Sequence, residues 1–317
     1  MESPITHIWN SDFLSYPQTL PPRVLEERSL RVEDLLEKAR HPMEAAFQRR
    51  EFPVHEGCQQ RKCRLWRLLC QDFEGTEIPV LLVHPERTSS SYPVVILAHG
   101  FDSNKYQIAY WIAGELVSRG MAVLAPDLPF HGERKGHAPD IRGHGDIHTF
   151  YRNMTRSAIE LRKMIDFAHT RSELDTTQGL GMVGYSMGSW LSSMAASADP
   201  RVKALVLMVE GTPVEETESP NPDSQFFGIL NDRLDLWKEY PDMRPSLALQ
   251  AYATRPLLML NGLRDRLIPP STAKRLFEKA GEPKEQKWYD AGHLLPPDAF
   301  YDASQWLEQI LKPENNQ

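Results

Sequence analysis

Three residues in this chain are of types that could act together on an acyl carbon. Ser186 stands in VGYSMGSW between Gly184 and Gly188, Asp265 stands in NGLRDRLIPP, and His293 stands in YDAGHLLPP. A serine hydroxyl alone is a weak nucleophile. It needs an imidazole to take its proton and a carboxylate to orient that imidazole. The attacked carbonyl oxygen also needs donors for the negative charge that develops on it. The turn LAHGFDSNK offers one, the Phe101 N–H that follows His99 and Gly100, and the Met187 N–H directly after the serine offers another. His99 is expected to shape that turn rather than to move protons. Glu210, at the end of the apolar run VKALVLMVEG, competes with Asp265 as the acid.

These residues are useful only if the chain brings them to one place. From about Cys63 the sequence alternates short apolar runs with helical patterns. CRLWRLLCQ and IPVLLVHP read as two strands around the turn FEGTE, and PVVILAHG as a strand buried on both faces. Strands MAVLAPD, GLGMVGYS, VKALVLMVEG, RPLLMLNG and EQKWYDAG follow, with helices YQIAYWIAGELVSRG, TRSAIELRKMIDFAHT, SWLSSMAAS, TAKRLFEKAG and DASQWLEQILK among them. Such alternation predicts a mostly parallel sheet with helices on both faces. Ser186 then lies at a strand-to-helix turn, which requires small neighbours. Asp265 and His293 follow two later strands, so all three are expected at the same edge of the sheet.

Taken together, HGF, GYSMGS, the acid turn RDRLIPP and the histidine turn AGH resemble the α/β-hydrolase superfamily, over about residues 62–312. DLPFHGER, from Asp127 to Arg134, resembles a loop of the dienelactone-hydrolase-like and prolyl-oligopeptidase-like esterases. Dienelactone hydrolases proper use a cysteine nucleophile, so with Ser186 their particular activity is not carried over. The resemblance implies a serine esterase with no cofactor, acting on a small-molecule ester. An amidase or peptidase of the same fold, or a binding protein that has lost turnover, are the alternatives. It also implies a cap over the active site in the segment 212–254, where Phe226 and Phe227 would give it an apolar underside. His99, Gly100 and His131 are the remaining residues expected to line the substrate site.

The rest of the sequence mainly excludes. The 317 residues carry a net charge of −7 without a basic block, which argues against nucleic acid. No apolar run approaches the ~20 residues that span a bilayer, and the first residues show no basic and then apolar leader. Cys58, Cys63 and Cys70 are odd in number and form no Cys-x-x-Cys pair, as expected of reduced thiols in a cytoplasmic protein. His144, Asp146 and His148 have spacing that an extended loop could use for a metal, but the serine chemistry needs none, and no metal site is expected. Residues 1–61 read as a helical extension. Leu25, Val32, Leu35, Leu36 and Ala39 fall on one helical face, which would lie on the main body or on the second subunit of a homodimer.

Overall fold

The computed structural model describes residues 9–39, 63–86, 91–211 and 239–312. Its strands are β1 (Arg23–Leu30), β2 (Cys63–Gln71), β3 (Glu77–Pro85), β4 (Tyr92–Ala98), β5 (Ala122–Pro126), β6 (Leu174–Asp175), β7 (Leu180–Tyr185), β8 (Val202–Met208), β9 (Leu257–Gly262) and β10 (Lys284–Tyr289). Its helices are α1 (Val32–Ala39), α2 (Lys105–Ser118), α3 (Ile147–Ala168), α4 (Met187–Ser197), α5 (Pro245–Ala251), α6 (Pro270–Lys279) and α7 (Pro297–Leu311). The strands form one sheet in the order β1-β2-β3-β5-β4-β7-β8-β9-β10, with β6 beside the start of β4. β1, β2 and β3 run antiparallel to their neighbours, and from β5 through β10 every pairing is parallel.

The central strands β4, β5, β7, β8 and β9 are almost wholly buried, which is why they read as unbroken apolar runs. Alternate residues feed two cores. Val94, Ile96 and Ala98 join the layer containing α3, α4 and α6. Val95 and Leu97 join the layer containing α1, α2 and α7. Every parallel strand ends at the same edge, so the loops after β4, β7, β8, β9 and β10 gather there.

The N-terminal segment departs from the expected single helix. Residues 23–30 form strand β1, paired antiparallel with β2 from Arg23 opposite Gln71 to Leu30 opposite Leu65. Among the described residues of this segment, α-helix is confined to Val32–Ala39, with a single 3-10 turn at Asp12–Leu14, and Leu35 and Ala39 bury themselves against the α2 layer. Leu25, counted on the helix's apolar face, is 45% exposed. The charges that read as a helix's polar side are cross-strand or tertiary partners instead: Glu26 pairs with Arg67 at 2.7 Å and Glu27 with Arg171 at 3.0 Å.

Helix α3 begins at Ile147, eight positions before the expected Thr155. Asp146 caps it, accepting from the Thr149 N–H at 2.9 Å. Within the expected cap segment, Phe226 and Phe227 lie outside the described residues. The described end of that segment, including α5, packs on the body: Trp190 Nε1 donates to the Met243 carbonyl at 2.7 Å and Ser197 Oγ to the Ala248 carbonyl at 2.6 Å.

Candidate active site

Ser186 sits between β7 and α4 with φ 53° and ψ −119°, a left-handed-side conformation that is strained for a residue with a side chain. Close packing enforces it. The Ser186 N–H donates to the Met208 carbonyl of β8 at 2.9 Å, and the buried Ser189 hydroxyl bridges the Met208 carbonyl and N–H at 2.9 and 3.0 Å. The flanking glycines are there for approach. A Cβ on Gly184 would lie 2.4 Å from Ser189 Cα, and one on Gly188 would lie 2.1 Å from the Ala98 carbonyl oxygen.

His293 and Asp265 meet this serine. His293 Nε2 is 2.9 Å from Ser186 Oγ, and His293 Nδ1 is 2.9 Å from Asp265 Oδ2. The other carboxylate oxygen, Oδ1, accepts from the Leu267 and Ile268 N–H groups, both at 2.9 Å, which fixes Asp265 in the turn RDRLIPP. Two main-chain bonds stitch the acid turn to the histidine loop: the Leu263 N–H donates to the Tyr289 carbonyl and the Arg264 N–H to the Ala291 carbonyl, each at 2.8 Å. Asp265 is 4% exposed, so its hydrogen bond to His293 is shielded from water at the carboxylate end.

Glu210 is buried as deeply, at 5% exposed, and its environment is different. Its main-chain carbonyl accepts from Asn261 Nδ2 at 3.0 Å. Among the described residues its carboxyl group has no ion-pair or hydrogen-bond partner. Burial pushes its pKa well above the usual carboxylate range, with no opposing charge among the described residues to hold it down.

The turn expected to hold the oxyanion lies against Ser186. A Cβ on Gly100 would stand 3.5 Å from Ser186 Cβ. The Phe101 N–H makes no hydrogen bond among the described residues, and the Met187 N–H, at the first position of α4, lies outside the helical ladder. His99 is fully buried. Its Nδ1 faces the Gly100 carbonyl at 2.8 Å and its Nε2 accepts from the Leu128 N–H at 3.1 Å. Burial, and then the neighbouring His131, lower its pKa well below the ordinary range, so a neutral ring braces the turn. His131 is also buried, its pKa lowered chiefly by desolvation. Its Nδ1 is 2.7 Å from the Pro129 carbonyl and its ring packs edge-on to Phe101. Both histidines therefore lie beneath the Phe101 turn.

In DLPFHGER the acid has a structural task that the motif's spelling does not reveal. Asp127, fully buried, accepts from the Lys105 N–H, the Lys105 ammonium and the Glu133 N–H, and so joins the start of α2 to the loop after β5. Gly132 makes room: at φ +60°, a Cβ there would lie 2.2 Å from the Asp127 carboxylate. Burial alone would raise the Glu133 pKa, but Lys105, Tyr106 and Arg67 together hold it at about 2. The candidate chelating loop is used locally. Asp146 caps α3, His144 Nε2 lies 3.3 Å from Asp140, and His148 contacts Tyr240. Among the described residues no group of three or more His, Cys, Asp or Glu is arranged to hold a metal ion.

A strained serine at a strand–helix turn, hydrogen-bonded through histidine to a buried aspartate, is the arrangement against which comparison with known proteins becomes informative. A family model described as the alpha/beta hydrolase fold matches residues 93–235. The chain has the alpha/beta hydrolase fold. Esterase YjfP of Escherichia coli is 24% identical over 249 residues, covering 75% of this chain and 97% of that protein. Among solved structures, an acetyl xylan esterase from Paenibacillus sp. superposes with a TM-score of 0.64 at 18% identity, covering 92% of this chain and 98% of the other. Acetyl xylan esterase 1 from a Thermoanaerobacterium species gives 0.66 at 18% identity, covering 98% and 100%. In that fold the strand ends that gather Ser186, Asp265 and His293 form the edge where ligands bind. No helix among the described residues is long and apolar enough to cross a membrane.

Proposed function

We propose that this protein is a cytoplasmic serine esterase that cleaves small to medium carboxylic esters through an acyl-enzyme. The observation that carries the reading is the continuous hydrogen-bonded line from Asp265 through His293 to Ser186, at 2.9 Å on both sides of the imidazole. Esterase YjfP, which aligns over nearly its whole length, supports the ester as substrate class.

In the mechanism, His293 takes the Ser186 proton as Oγ attacks the ester carbonyl carbon. The carbonyl oxygen becomes an anion and is met by the Phe101 and Met187 N–H groups. Collapse breaks the bond to the alcohol oxygen, which receives the proton from His293, and leaves the acyl group on Ser186. Water then repeats the sequence: His293 deprotonates it, the acid departs, and Ser186 regains its proton. Asp265 accepts from the His293 Nδ1–H throughout, holding the tautomer that keeps Nε2 facing Ser186. No cofactor enters these steps.

The test is turnover of p-nitrophenyl esters of rising acyl length by the wild type and by Ser186→Ala. Turnover in the variant should fall by several orders of magnitude, to the residual rate left by binding and the oxyanion donors. Activity above about a tenth of wild type would overturn the assignment. Acetyl and butyryl esters should exceed palmitoyl esters, because the segment 212–254 is short and opens with the acidic, proline-rich TPVEETESPNPDS, poor material for a long apolar tunnel. Faster palmitoyl cleavage in matched detergent would contradict that preference.

A further inference from the structure

The histidine loop has an unusual problem of support. Its strand, β10, is the last of the sheet, and three pairings separate it from β7, which carries the nucleophile. At ~4.8 Å per strand the loop must reach back about 14 Å to Ser186. On the side of the acid turn it is held by the two main-chain bonds at Tyr289 and Ala291. Beyond Ala291 that support stops. Among the described residues, the main-chain groups from Gly292 to Leu295 are reached by one side-chain group, the phenol of Tyr185. Its O–H donates to the His293 carbonyl at 2.7 Å, and its oxygen accepts from the Leu295 N–H at 3.1 Å.

Tyr185 is the residue directly before Ser186, the first x of G-x-S-x-G. We infer that it is a positioning residue for the reaction, setting His293 against Ser186 by anchoring the histidine loop to the nucleophile's own strand. Its ring is held on both sides: Trp111 of α2 lies 4.9 Å away between centroids, and Phe300 of α7 stacks on it at 6.4 Å with 17° between planes. The imidazole of His293 stands edge-on to it at 6.2 Å. A ring so held transmits the position of β7 to the loop with little play. Burial raises the phenol above the ordinary tyrosine range, so the donated proton stays in place across an assay's pH range. Nucleophile and base are thus linked through one hydroxyl, carried by the residue before Ser186 and bonded to the main chain of His293 itself.

The inference rests on the proposed roles of Ser186 and His293, and the experiment separates the two. Tyr185→Phe keeps the ring in its cradle and removes both hydrogen bonds. A displacement of the base of about 1 Å is worth up to ~100-fold in rate. We therefore expect kcat on p-nitrophenyl butyrate to fall about 10- to 100-fold, with KM within about twofold, since the substrate's own contacts are untouched. Inactivation by a fluorophosphonate, which also needs His293 to activate Ser186, should slow by the same factor. Tyr289→Phe is the control. It removes a comparable phenol bond to α7, Tyr289 to Asp302 at 2.6 Å, without touching the histidine loop's main chain beyond Ala291. It should cost similar thermal stability and leave kcat within about twofold. A kcat for Tyr185→Phe within twofold of wild type, or an equal loss in Tyr289→Phe, overturns the inference. So does an amide at Leu295 in the unaltered protein that exchanges with deuterium as fast as an open loop, a measurement that needs no variant. Ser186→Ala retaining turnover would instead overturn the proposed function, whatever Tyr185→Phe does.

Discussion

The ends of β8 and β9 lie side by side at the catalytic edge, and each delivers a carboxylic acid that is at least 95% buried, Glu210 and Asp265. Asp265 is surrounded by donors. Two main-chain N–H groups face one oxygen and His293 Nδ1 faces the other, all at 2.9 Å. Among the described residues, desolvation is the one cause acting on the titration of Glu210. Burial is therefore the same on both strands and partnership is not. A charge kept from water is costly unless hydrogen bonds replace the water. Asp265 has such replacements, two main-chain N–H groups and the His293 ring. Among the described residues the Glu210 carboxyl group has none, and burial favours its protonated form.

The comparison is broken most directly by making each acid a near-isosteric amide. Asp265→Asn should lower kcat by about 10³- to 10⁴-fold, because the amide N–H₂ favours the wrong His293 tautomer. Glu210→Gln should cost tenfold or less, about 1.4 kcal/mol in transition-state stabilisation at most. Both follow from steady-state kinetics on the same ester at one pH. The opposite order of effects would move the acid to Glu210 and leave the Asp265–His293 bond a structural feature.

That Asp265 rather than Glu210 stands within hydrogen-bond distance of His293 was legible in the chain, and so was most of the sheet. CRLWRLLCQ is β2 to the residue, and the buried parallel strands announced themselves because neither face sees water. The triad residues stood out because each follows such a strand, and strand ends converge by topology. What stayed hidden was of two kinds. The first is local pattern with two readings. Residues 23–30 mix leucines and charges at spacings that fit a helix, and only their pairing with β2 makes them a strand. Asp146 is a helix cap, where the spacing with His144 and His148 equally suits an extended loop. The second is contact across long separations. Tyr185 and His293 are 108 positions apart and Lys105 and Asp127 are 22 apart. No periodicity connects such residues. A signal existed only in the motifs that carry them, the tyrosine before the serine and the aspartate of DLPFHGER.

The smallest expected effect sharpens the comparison most, since it reads the protonation of Glu210 directly through stability. In the folded protein its pKa is raised, whereas in the unfolded chain it takes the ordinary value of about 4.3. Below ~4.3 both states hold the proton, and its contribution is fully present. Above it the unfolded chain releases the proton while the folded one retains it, so the folded state binds more protons and stability falls as pH rises. The slope is at most about −1.4 kcal/mol per pH unit, and it ends once pH passes the raised folded value. Glutamine neither binds nor releases a proton here. The stability of Glu210→Gln minus that of wild type should therefore be lowest near pH 4 and grow through pH 6 toward pH 8, whatever fixed packing difference the amide introduces. Urea unfolding midpoints and slopes for both proteins at the three pH values give that difference curve. A flat or falling curve for Glu210→Gln would mean that Glu210 is ionised in the folded protein, and the contrast between the two strand ends would vanish.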